Sequence, residues 1–67
     1  MFKVTRQSAE RTIELEYPTK RAAFTGIGYG IVDNGHGAKA EAQKFAATIK
    51  LGVPATFGPY TFTLAKA

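Results

Sequence analysis

The chain has 67 residues, no cysteine and a net charge of +4. That length holds a single domain, residues 1–67, and the missing cysteines exclude disulfides and thiolate metal sites. A chain this short buries only about 60% of its unfolded surface, so tight packing of its five Phe and three Tyr, or self-association as a homodimer, is the expected remedy.

The segment Met1 to Ser8 carries no apolar core of a signal peptide. No apolar run approaches the roughly 20 residues of a membrane span. With the cysteine-free composition, these features make a cytoplasmic protein without membrane partners the expectation. The acids are Glu10, Glu14, Glu16, Asp33 and Glu41, and beyond them only Lys44, Lys50 and Lys66 carry charge. A basic surface of this kind suits an acidic protein partner, nucleic acid or an anionic surface.

Phe2 to Gln7 alternates, with Phe2 and Val4 on one face. Arg11 to Tyr17 alternates more cleanly: Ile13, Leu15 and Tyr17 oppose Thr12, Glu14 and Glu16. A period of two marks half-buried strands, and Ser8-Ala9-Glu10 is short enough to join them as a hairpin. Lys3 and Arg6 are then expected to pair with Glu14 or Glu16. Pro18 ends the second strand because it cannot donate to a ladder, and Thr19-Lys20-Arg21 forms a basic corner.

Ala22 to Val32 admits two readings. As a helix capped by Thr19 it places Gly26, Gly28 and Gly30 in the interior, at about 1 kcal/mol each relative to alanine. As a strand, the glycines alternate with Ile27, Tyr29 and Ile31 and leave one flat face. The strand is the preferred expectation. Asp33 to Gly37 is a loop, with Asn34-Gly35 as its turn signal.

Ala38 to Leu51 is the expected helix. Ala38, Ala42, Phe45, Ala46 and Ile49 form one apolar stripe. Gly52 suits a left-handed cap, and Pro54 cannot continue the helix. Pro54 to Pro59 follows as a loop. Tyr60, Phe62 and Leu64 then share a strand face opposite Thr61 and Thr63. The expected fold class is α+β: a small antiparallel sheet, ordered β-β-β-α-β along the chain, with one amphipathic helix on one face. The expected core is Val4, Ile13, Leu15, Ile27, Ile31, Phe45, Ile49, Tyr60, Phe62 and Leu64.

No catalytic motif is complete. Gly26-Ile-Gly28-Tyr-Gly30 misplaces the third glycine of a dinucleotide fingerprint. Gly30 and Gly35 have phosphate-loop spacing, but His36-Gly37 stand where lysine and a hydroxyl residue are required. A lone histidine without cysteine does not make a structural zinc site. Asp33 is placed to orient His36, but no nucleophile accompanies the pair. The expectation is therefore a non-enzyme without metal or cofactor.

What remains is binding. The amides of Gly37, Ala38 and Lys39 open the helix near Lys39 and His36, an arrangement that can take an anion. Tyr29, Phe57 and Tyr60 are candidate stacking rings. The candidate contact residues, to a partner or to phosphate, are Lys20, Arg21, Tyr29, His36, Gly37, Lys39, Lys44 and Lys50. In size and strand-rich layout the chain resembles small phage-encoded proteins that bind host enzymes, without sharing a motif with them. That resemblance implies an inhibitor or accessory subunit docking on a larger protein with an acidic surface. The alternative expectation is a basic domain that contacts the phosphates of DNA or RNA.

Overall fold

The two alternating N-terminal segments form the expected hairpin, β1 (Phe2–Gln7) and β2 (Thr12–Tyr17), in a computed structural model that describes residues 1–67. Its turn is closed by the Ser8 N–H donating to the Arg11 carbonyl at 2.9 Å. The Ser8 hydroxyl also donates to that carbonyl, at 3.2 Å. The antiparallel register sets Val4 opposite Leu15 and Arg6 opposite Ile13.

The chain continues as α1 (Lys20–Asp33), α2 (Lys39–Ala47), β3 (Ala55–Phe57) and β4 (Tyr60–Lys66). The four strands make one antiparallel sheet in the order β2-β1-β4-β3, with β1 and β4 central. Both helices cover one face. The α+β class and the antiparallel sheet hold. The element order is ββααββ, with two helices rather than one.

The difference lies in Ala22 to Val32, which is helix and not strand. Thr19 caps it, its hydroxyl accepting the Ala22 N–H at 3.1 Å, and Ala23, Ile27 and Ile31 form its buried stripe. Each interior glycine admits a neighbour that a methyl group would displace. Gly26 lies against the Tyr17 phenol, Gly28 against Gln43 of α2, and Gly30 against the Arg6 guanidinium. Tertiary packing of this kind overrides the intrinsic helix penalty of glycine. At the far end the Asn34 side-chain amide donates to the Gly30 carbonyl at 2.6 Å, and Gly35 takes a positive φ of 75°.

The second helix is shorter than its periodicity predicts. The Thr48 hydroxyl donates to the Phe45 carbonyl at 2.7 Å, and the helix ends at Ala47. Gly52, with φ 76°, therefore does not cap the helix. It lies in a later turn closed by the Val53 N–H on the Lys50 carbonyl at 3.1 Å. Part of the expected Pro54–Pro59 loop is strand β3, which pairs Ala55 with Phe62 and Phe57 with Tyr60.

The core lies between the helices and the central strands. It consists of Val4, Ile27, Ile31, Ile49, Phe62 and Leu64, as expected, with Ala23, Ala42 and Ala46 added. The alanines let the two helices settle close to one another. Phe45 and Tyr60 are only half-buried around this core, and so is Ile13. Leu15 is 46% exposed, because β2 is an outer strand and α1 does not reach over its edge.

Candidate interaction surfaces

On α1, Arg21, Thr25 and Tyr29 recur every fourth residue and form one row along the helix. Lys39 and Gln43 form the matching row on α2. The two rows flank the crossing of the helices at Gly28, whose absent Cβ lets the Gln43 side chain approach. Arg21, Phe24, Thr25 and Gln43 line a shallow cleft there. Lys39 Nζ lies 5.9 Å from the Tyr29 ring centre, and Lys20 Nζ lies 5.7 Å from that of Phe24. Both are at cation–π range. Tyr29 is 47% exposed. The structure thus brings four of the sequence-derived residues, Lys20, Arg21, Tyr29 and Lys39, onto the outer surface of the helix pair.

These cations have no carboxylate partner. The single ion pair in the structure is Lys3 with Glu14 at 3.0 Å, on the opposite side of the sheet. It confirms the expected cross-strand pairing for Lys3. It does not do so for Arg6, which shares the helix-facing side with Phe2 and Val4 and stands opposite Ile13 and Phe62. The Arg6 guanidinium instead lies 4.8 Å from the Tyr60 ring centre. The alternation of β1 already places Arg6 on that face, and this is the signal that identifies it.

The remaining candidates lie elsewhere. His36 is exposed in the loop between the helices and meets the edge of Tyr60, with ring centres 5.2 Å apart. Ser8, Glu10, His36, Pro59 and Tyr60 line a second open cleft at that end of the sheet. Its Ser8 hydroxyl is bonded to the Arg11 carbonyl. Gly37 adjoins Phe57 and Ile31, and a Cβ there would lie 3.0 Å from the Phe57 ring. Close packing therefore accounts for this glycine. Lys44 is exposed on the solvent side of α2, and Lys50 is exposed beyond its C-terminus. Neither joins the Arg21–Lys39 group.

The first turn of α2 has no side-chain cap, its N-cap being Ala38. The neighbouring His36 and Lys39 side chains rest on Tyr60 and Tyr29 respectively. No three His, Asp or Glu residues come together in a metal-binding group. No helix is long and apolar enough to cross a membrane.

The bare face of the sheet carries Lys3, Thr5, Gln7, Thr12, Glu14, Glu16, Thr56, Thr61 and Thr63, without an aromatic ring. Phe57 and Tyr60 are half-buried on the helix side, against Phe45 and His36. Compared with protein-family models, curated proteins and solved structures, the chain finds no match in any of the three.

Proposed function

We propose that the chain is a small non-enzymatic interaction module, of inhibitor or accessory type, that docks on a larger protein through the outer surface of its helix pair. The observation that carries this reading is the Lys20–Arg21–Tyr29–Lys39 surface: exposed cations next to aromatic rings, none of them neutralised within the chain. Tyrosine and arginine are the residues on which binding energy concentrates in protein interfaces. Unpaired cations favour an acidic counterpart.

The same charges would also meet phosphates. The absence of rings on the bare sheet face weighs against base stacking there, so a protein partner is preferred.

Affinity capture with the whole chain, with and without nuclease, followed by mass spectrometry, identifies the partner. Its binding is then measured with purified components against the Arg21→Glu/Lys39→Glu variant. A protein retained after nuclease whose affinity falls at least about tenfold with the variant supports the reading. Loss of all binding on nuclease treatment, with affinity falling steeply against the logarithm of salt, replaces it with nucleic-acid binding.

A further inference from the structure

The two edges of the sheet are not equivalent. β3 has three residues and is flanked by Pro54 and Pro59, so a further strand finds little to pair with. Short edges and prolines are the usual means of blunting an edge. β2 has six residues, no proline or bulge within its register, and no element over its outer side.

The phase of the hairpin determines what this edge offers. Hydrogen bonding alternates along an antiparallel pair, and the Ser8–Arg11 bond fixes the alternation. Ile13, Leu15 and Tyr17 bond to β1. The backbone N–H and C=O groups of Thr12, Glu14 and Glu16 therefore point outward. Side chains alternate with equal regularity. Leu15, 46% exposed, stands with half-buried Ile13 and Tyr17 on the helix side. Exposed Glu14 and Glu16 stand on the bare side. Lys3 engages Glu14, and Glu16 has no cationic partner.

From this we infer that β2 is an acceptor edge for an extended segment of another protein whose side chains alternate apolar and basic. Such a segment adds a fifth strand. Its backbone bonds to Thr12, Glu14 and Glu16, its apolar side chains cover Leu15 and Ile13, and its lysines or arginines face Glu14 and Glu16. Strand addition is an established mode of peptide recognition, with affinity from the backbone and specificity from alternate side chains. A second copy of this chain is disfavoured as the occupant. Residues opposite one another in an antiparallel pair share a face, so the two-fold pairings that overlap most of β2, centred on Glu14 or on Leu15, set Glu14 against Glu14 or Glu16, and like charges placed opposite destabilise a pair. This acceptor edge goes beyond the helix-face reading and shares no residue with it.

The test uses the whole isotope-labelled chain and two short synthetic peptides, one alternating valine and lysine, the other valine and glutamate. The protein carries a net charge of +4, so general electrostatics favours the glutamate peptide. The inference requires the reverse. The lysine peptide should slow amide hydrogen exchange at Thr12, Glu14 and Glu16. The Glu14→Lys/Glu16→Lys variant, confirmed folded by its dispersed amide spectrum, should bind it about tenfold more weakly and prefer the glutamate peptide. The Arg21→Glu/Lys39→Glu variant should bind the lysine peptide undiminished, so failure of the helix-face reading is read separately. The inference is overturned by equal binding of the two peptides, by binding of neither, by shifts confined to the helices, or by β2 protection that grows with protein concentration alone. The last outcome would make a second copy the occupant.

Discussion

Gly26 of α1 lies directly over the phenol of Tyr17, the last residue of β2, and a Cβ at Gly26 would overlap that ring. The contact seats the middle of α1 on the end of β2. Overpacking costs about 1–3 kcal/mol, whereas alanine gains about 1 kcal/mol over glycine in a helix interior. Gly26→Ala is therefore expected to destabilise the fold by a net of up to about 2 kcal/mol, read as a lower midpoint in urea at unchanged slope. In a Tyr17→Ala background the obstacle is gone, and the same change should stabilise. A loss of equal size in both backgrounds would show that the ring is not its cause.

Gly28 and Gly30 should behave differently, although they occupy the same helix. A Cβ at Gly28 would meet the Gln43 side chain at 3.3 Å and its backbone only at 3.6 Å, and one at Gly30 would meet the tip of Arg6 at 3.3 Å. Both near neighbours are flexible and can move by a few tenths of an ångström. The helix gain should then prevail, and each alanine variant is expected to be neutral or up to about 1 kcal/mol more stable. Thermal unfolding of the three single variants, ranked against one another, checks this order.

These glycines also explain why the middle of the chain was hard to read. The hairpin, the apolar stripe of α2 and strand β4 were legible because their periods are clean. The Thr19 cap was legible too, yet three interior glycines outweighed it. Their propensity penalty is a local quantity, whereas the compensating approach of Tyr17, Gln43 and Arg6 comes from β2, α2 and β1 and has no local signature. The misplacement of Leu15 has a related origin. Its alternation matches that of Leu64 in β4, and periodicity cannot distinguish an edge strand from a central one. Of the candidate contacts, the row Arg21–Tyr29 closes up only once the segment is helical, since a strand keeps residues four apart on one face but about 13 Å from one another.

The turn from β3 to β4 depends on Gly58, whose φ is 58°, followed by Pro59 with its φ confined near −65°. Positive then negative φ at the two central positions is the pattern of a II′ hairpin turn, which favours glycine first. Gly58→Ala forces an L-residue into the left-handed region, at about 1–2 kcal/mol, while Gly58→Asn should lose less. The damage should be local. Hydrogen exchange at Ala55 to Phe57 is expected to quicken more than at β1, and uniform acceleration across the sheet would contradict that.

Leu15 and Leu64 face the same side of the sheet, but Leu64 is fully buried and Leu15 is 46% exposed. Leu64→Ala empties a site in the core and should cost about 2–5 kcal/mol. Leu15→Thr puts a β-branched residue on an open strand, where such residues are favoured, and should stay within about 0.5 kcal/mol. Glu14→Gln should be similarly mild, because its partner Lys3 is 43% exposed and Glu14 itself 57%, and exposed pairs contribute only about 0–1 kcal/mol. If urea denaturation finds β2 this tolerant, the apolar exposure of Leu15 and the acidity of Glu14 and Glu16 are not explained by folding stability. They would then be free to serve what the edge binds. A large stability loss at Leu15 would instead make it part of the core and remove the apolar half of the acceptor edge.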